Sequence, residues 1–234
     1  MARFQEALRG LRSLSLLGSL ARSGGDLNSI ADLVDNFRGS EPMAHCLERF
    51  RALPGAEALL REAPPAPRLD LAQLSELPHG SLGHSVARVL QTLGYNPSFA
   101  RDRPIDSEET WLIQRIGATH DIHHVISGFS TTQLGENGVL AITAQQVGFP
   151  PFVVLNIASH FASFRLQPER YPMVSEAIAR GGAIALGCAP LLTQRWEEGW
   201  ERPLREWRQS LGITAVAREE YSLRRQLSDL DAEL

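Results

Sequence analysis

A chain that places His120, Asp121 and His124 within one helical turn, and Glu136 after eleven more residues, can bring all four to one metal ion only by folding back on itself. On an α-helix each residue advances about 100°, so His120 and His124 lie about 40° apart, one turn from each other. Asp121 borders the same face, three residues before His124. A helix continued through Glu136 would carry that carboxylate about 18 Å past His124. The stretch Ser127-Gly128-Phe129-Ser130-Thr131-Thr132 supplies the break, with one glycine and several hydroxyl side chains able to cap a new helix. A second helix starting near Thr132 returns Glu136 to the histidine face. The expected site is two neutral imidazoles and two carboxylates, whose charge would balance one divalent cation. Zn²⁺ comes first by ligand chemistry, with Fe²⁺, Mn²⁺, Co²⁺ and Mg²⁺ also compatible. His123 is expected to point elsewhere, because His124 has the better spacing from His120. The plainer alternative is a solvated helix face that happens to be rich in histidine.

The fold that this motif requires agrees with the rest of the chain. We expect an all-α, single-domain helical bundle with the metal site between two adjacent helices. No segment alternates cleanly enough for a strand, and 234 residues suit one core. Residues 1–25 read as an N-terminal amphipathic helix, with Phe4, Leu8, Leu11, Leu14 and Leu17 at three- to four-residue spacing. Arg3, Arg9, Arg12 and Arg22 also allow a mitochondrial transit peptide there. Residues 26–214 form the main helical domain and 215–234 a C-terminal tail. Within the domain, Asn28 or Ser29, Ser40 followed by Pro42, and Ser81 are expected helix starts. The Pro-rich residues 63–69 form a connector. The metal-bearing helix is expected to start at Asp106 with Glu109 closing a capping box, and to end near Ser127. Its partner runs from about Thr132 to Gln146.

Charge and cysteine usage exclude several functions. A net charge of -4 argues against a nucleic-acid partner. All 23 basic residues are arginine, which rules out Schiff-base and phosphate-loop lysine chemistry and suggests a GC-rich bacterial genome. Cys46 and Cys188 are too few and too far apart for a cysteine zinc site. No apolar run is long enough to span a membrane. Two segments, 152–161 and 181–189, are nonetheless unusually apolar. They read either as core helices or as the lining for a long hydrocarbon chain, with Phe152, Leu155, Ile157, Phe161, Ile184, Leu186 and Gly187 as lipid-contacting residues. Small residues at Ala183/Gly187 and Ala185/Ala189 would let a helix or an isoprenoid tail approach closely. Gly117 and Gly128, close to the histidine stripe, would leave room for a bulky ligand or allow close helix packing.

The pattern His120-Asp121-x₂-His124-x₁₁-Glu136 resembles the metal motif of the ubiquinone-biosynthesis family usually called the fourth coenzyme Q biosynthesis protein. Leu77-Pro78-His79-Gly80-Ser81-Leu82-Gly83, the Thr132-x₂-Gly135-Glu136 stretch and the blocks at Trp196-Glu197-Glu198, Arg202-Pro203-Leu204 and Leu211-Gly212-Ile213 are similar to further elements of that family. Ile116-Gly117-Ala118-Thr119 departs from it, being uncharged where the family is expected to carry charge. The resemblance implies a polyprenylated aromatic ring as substrate and oxidative decarboxylation at its C1. It also implies peripheral attachment to a membrane surface, through the N-terminal helix or an apolar cavity mouth, and a homodimer working beside other ubiquinone-biosynthesis enzymes. The location implied is the cytoplasmic face of a bacterial inner membrane, or the matrix side of the mitochondrial one. The alternative function is a non-catalytic polyprenyl-lipid-binding scaffold for those enzymes. Two other metal chemistries fit less well. A His-Asp phosphohydrolase needs a distal Asp, and Asp229 and Asp231 in the tail are the only later ones. A zinc peptidase needs glutamate at the position of Asp121.

Overall fold

In the computed structural model of the protein, residues 2–23, 27–94 and 104–233 are described. The first helices are α1 (Ala2–Ser23), α2 (Leu27–Phe37), α3 (Glu41–Arg51) and α4 (Ala56–Glu62), followed by α5 (Leu71–Ser75) and α6 (Leu82–Thr92). The centre of the molecule is α7 (Glu108–Ser127), α8 (Gln133–Val147), α9 (Pro150–Leu166) and α10 (Tyr171–Gly187). A 3-10 turn at Trp196–Glu198, α11 (Leu204–Leu211) and α12 (Leu223–Glu233) complete the chain. Among the described residues there are no strands, only isolated bridges at Ser81/Pro203 and Phe129/Ser222. The fold is the expected all-α bundle.

Local chemistry sets most helix starts. Ser40 accepts from the Met43 amide at 3.2 Å and Ser81 from the His84 amide at 3.2 Å, each satisfying one of the donors that a helix start leaves open. The start of α7 falls one residue later than expected. Ser107, not Asp106, is the cap, and Thr110 rather than Glu109 closes the box. The shorter threonine hydroxyl reaches back to both the Asp106 and Ser107 amides, at 3.1 and 3.0 Å. Glu109 instead accepts from the Gly39 amide, tying α7 to the end of α2.

α7 joins two cores. Trp111, Leu112, Ile113 and Ile116 pack with Leu33, Phe37, Met43, Phe50 and Phe152. Ile122, Val125 and Ile126 pack with Val86, Leu90, Ile142, Ala177 and Trp207. A helix enclosed this way shows no single apolar stripe, and any polar group on it needs a partner inside the protein or from solvent. α8 is pressed against α10 at two glycines. A Cβ on Gly181 would lie 2.1 Å from the Gly138 carbonyl oxygen, and one on Gly138 would lie 2.3 Å from the Phe129 ring.

Two apolar expectations can be placed on these helices. In α1, Leu8, Leu11 and Leu14 are 51%, 66% and 66% exposed. The buried side of this helix is set by Ser13, which accepts from Asn36 Nδ2 at 3.0 Å, with Leu16 and Leu17 packed on the core. A buried hydroxyl–amide pair thus shares that side with Leu17, the last residue of the leucine series. The side chain of Phe4 lies outside the described residues. The seven proposed lipid residues also divide. Phe152 and Leu155 are core, Ile184 packs partly against it, and Ile157, Phe161, Leu186 and Gly187 face outward. Close helix approach in α10 occurs at Gly181, while Ala183 and Gly187 are exposed.

Candidate metal centre

α7 ends where Gly128 takes a φ of 80°, a left-handed conformation that favours glycine. The turn that follows is clamped by the C-terminal part of the chain. The Leu223 amide donates to the Gly128 carbonyl at 2.7 Å, the Ser130 amide to the Tyr221 carbonyl at 2.8 Å, and the Thr131 amide to Gln226 at 2.9 Å. Arg208 donates to the last-turn carbonyls of Val125 and Ile126 at 2.8 and 3.0 Å. Thr132 then caps α8, accepting from the Gly135 amide. Position 135 admits no side chain, since a Cβ would sit 2.0 Å from the Ser130 carbonyl oxygen. Glu136 therefore enters in the first turn of α8, where the helix dipole favours a carboxylate.

The reversal brings three of the four expected ligands together. Glu136 Oε2 lies 3.0 Å from His120 Nε2, Glu136 Oε1 lies 3.1 Å from His124 Nε2, and the two Nε2 atoms are 3.3 Å apart. Metal–ligand bonds of about 2.1 Å in tetrahedral geometry would separate ligand atoms by about 3.4 Å, so the spacing fits one ion with little adjustment. His124 is 1% exposed and donates through Nδ1 to the Phe129 carbonyl at 3.1 Å. That bond selects the tautomer whose Nε2 lone pair faces Glu136, as a ligating imidazole requires. The rings of His120 and His124 stand nearly perpendicular, and Phe152 packs 5.6 Å from His120.

Asp121 does not join this group of three. One residue turns it about 100° from His120 around the helix, against about 40° for His124. It is half-buried, and its charge is felt at His124. His123 points elsewhere, as expected, and is buried 6.3 Å from the Trp196 ring. Gly117 is exposed, with nothing within 4 Å of where a Cβ would stand. Phe129, Arg208 and Gln226, which set the turn and orient His124, carried no recognisable motif in the sequence.

The electrostatics follow from enclosure. Burial alone would push the His124 pKa down, but the charge and hydrogen bond of Glu136 outweigh it, with Asp121 and the Phe129 carbonyl adding, and the net shift is upward. Burial would raise Glu136, yet the charges of His124 and His120 and its hydrogen bonds to them hold it well below the ordinary carboxylate range. Burial first, then the charges of His120, His124 and Arg115, holds His123 well below 6.5. A cluster that stabilises a proton shared between imidazole and carboxylate can exchange that proton for a divalent cation.

A surface cavity of about 490 Å³, lined by residues including Gly55, Leu59, Thr193, Arg195, Arg202 and Trp207, lies elsewhere, and none of the three clustered residues borders it. Among the described residues no helix is long and apolar enough to cross a membrane.

Residues 13–217 match the family model for the "Coenzyme Q (ubiquinone) biosynthesis protein Coq4". The human mitochondrial "Ubiquinone biosynthesis protein COQ4 homolog" is 34% identical over 173 residues, which cover 72% of this chain and 64% of the human protein. The mitochondrial COQ4 of Clavispora lusitaniae is 29% identical over 203 residues, covering 84% of this chain and 62% of its own length. The matched region therefore spans less than two thirds of either relative. A crystal structure described as a candidate ubiquinone biosynthesis protein from Nostoc punctiforme superposes with a TM-score of 0.80 at 25% identity, covering 88% of this chain and 97% of its own.

Proposed function

The chain belongs to the Coq4 family of coenzyme Q (ubiquinone) biosynthesis proteins, and from that premise we propose that it holds one divalent cation and acts at C1 of a polyprenylated benzoate ring. The observation that carries the reading is the convergence of His120, His124 and Glu136 within 4.8 Å of one another. In the proposed reaction the C1–carboxyl bond breaks, carbon dioxide leaves and a C1–oxygen bond forms. With dioxygen as oxidant and an external two-electron donor, one oxygen atom ends on the ring and the other in water. The bound ion would supply Lewis acidity for the carboxylate or phenol, and oxygen chemistry if it is redox-active. The protein's own part is to aim the ligands. His124 is held by the Phe129 carbonyl, Glu136 by the first turn of α8, and His120 stands beside the apolar wall of Phe152. Asp121, at the edge of this site, completes the proposed ligand set by a side-chain rotation.

The polyprenyl tail and the membrane surface are part of this proposal. Ile157, Phe161, Phe164 and Leu166 on α9 and Leu186 on α10 are 63–76% exposed, an unusual concentration of large apolar groups on one helical hairpin. They support peripheral attachment to a bacterial inner membrane, or to its mitochondrial counterpart, and equally a homodimer contact. The same face favours a second reading, a scaffold that carries the lipid to other ubiquinone-biosynthesis enzymes while its ion is structural. Turnover of a polyprenyl-hydroxybenzoate by purified protein separates the two.

The test in cells is complementation of a strain lacking the ubiquinone C1 step. Wild type should restore ubiquinone and Glu136→Ala, at equal protein level, should not. Normal ubiquinone with Glu136→Ala would refute metal-dependent catalysis.

A further inference from the structure

We propose that a second polar stripe of α7 encloses an internal water site, built by Arg115, His123, Trp196 and Glu197. Arg115, Thr119 and His123 follow one another at four-residue spacing and are all at most 1% exposed. Arg115 and His123 face the segment that carries the 3-10 turn at Trp196–Glu198, while the Thr119 hydroxyl donates to the Arg115 carbonyl. Among the described residues, seven buried side-chain nitrogen and oxygen atoms have no hydrogen-bond partner in the protein, and six of them belong to this cluster. They are Arg115 Nη1, both ring nitrogens of His123, Trp196 Nε1 and both Glu197 carboxylate oxygens. Six such atoms left without a hydrogen bond, even with the Arg115–Glu197 charges opposed, would offset much of a domain's folding stability. Something other than protein must bond them.

The groups cannot close the gap by themselves. Arg115 is fixed by Nε donating to the Leu192 carbonyl at 2.7 Å and by Nη2 donating to the Gln194 carbonyl. Its Nη1 forms an ion pair with Glu197 Oε1 at 3.6 Å, longer than a good direct hydrogen bond. The Trp196 indole is buried against Trp207, with ring centroids 4.8 Å apart, and the His123 ring is 6.3 Å from that of Trp196.

The donor set identifies the ligand. Arg115 and Trp196 only donate, the Glu197 carboxylate only accepts, and imidazole does one of each when neutral. An anion would have to sit beside Glu197 and a cation beside Arg115, whose charges already balance each other. A small neutral molecule that both donates and accepts fits, and water is that molecule. Six groups need about two or three waters at about three bonds each.

The experiment is nuclear magnetic resonance on the full chain, reading cross-relaxation between indole N–H protons and long-lived water. Trp111 Nε1 and Trp207 Nε1 donate to the backbone carbonyls of Pro64 and Gly199 at 2.9 and 3.0 Å and serve as dry internal controls. The Trp196 proton should show a cross-peak to bound water, while the other two show none. A high-resolution crystal structure should place at least two waters, each touching two or more of the six atoms. Loss of the Trp196 cross-peak would overturn the proposal. So would a crystal in which Glu197 turns to bond Trp196 or His123 directly, or in which an ion fills the space.

Discussion

The two polar stripes of α7 solve the same problem in opposite ways. Along His120 and His124 the buried groups meet each other and Glu136 directly, at 3.0–3.3 Å. Along Arg115 and His123 they are held by backbone anchors and by rings packed edge to face. The second stripe is buried and the first partly so, and a polar group without a partner is costly wherever water is excluded. The difference lies in what the partner can become. Ligand atoms that already converge around a shared proton can release it and accept a cation. Groups fixed too far apart to touch need a bridging neutral molecule. The first stripe is built for exchange and the second for permanence.

That contrast can be broken most forcefully at Arg115. Arg115→Ala removes the guanidinium that balances Glu197 and frees two backbone carbonyls, and should destabilise the protein by about 3 kcal/mol in urea unfolding. The folded fraction should still bind metal, because the exchange stripe is untouched. A loss below about 1 kcal/mol, within the range of an exposed ion pair, would show that the second stripe is not structural. Gly138→Val attacks the other side. The new side chain would collide with Phe129, costing about 2 kcal/mol by overpacking. It also displaces the carbonyl that orients His124, so metal affinity should fall together with stability. Unchanged affinity would remove Phe129 from the positioning role.

pH sharpens the comparison without a mutation. His124 is raised in the folded state, so its contribution is fully present below the ordinary value of 6.5 and is lost as pH rises through the elevated value. Glu136 is lowered, so its contribution is present above 4.5 and is lost only in strong acid. The metal-free protein should therefore lose stability as pH climbs above 6.5. The ion instead needs deprotonated ligands, so the gap in Tm between metal-loaded and metal-free protein should widen over the same range. A constant gap would mean that protons and metal do not compete for these residues. The smallest effect is at Gly117, which is exposed with open space around it. Gly117→Ala should raise stability by about 1 kcal/mol on helix propensity alone, measured as a Tm increase, with metal content unchanged.

Local rules carried much of this architecture. Ser40, Ser81, Thr132 and Gly128 act through neighbours within four residues, so their roles are visible in the sequence. The spacing from His124 to Glu136 was legible for the same reason, since one break and one cap suffice to fold it back. Asp121 shows the limit of that argument. Proximity in sequence suggests a fourth ligand, and its side chain stands at the edge of the site, outside the group of three that already converge. The cap at Ser107 turned on which of two side chains, Thr110 or Glu109, could reach back, a matter of one side chain's length. Arg115, Trp196 and Glu197 were beyond sequence reasoning because their association is tertiary, across about eighty residues. The exposure of Leu8, Leu11 and Leu14 was hidden likewise, because the face of α1 that is buried meets Asn36 on another helix.

The central claim is that His120, His124 and Glu136 hold an ion. Elemental analysis of purified wild type, Glu136→Ala and His124→Ala, each reconstituted with Zn²⁺ and then dialysed, tests it most directly. Wild type should retain one ion per chain and both variants should fall to about a tenth of that or less, since each loses one of the three donors. Equal metal in all three proteins, or none in folded wild type, would contradict the account.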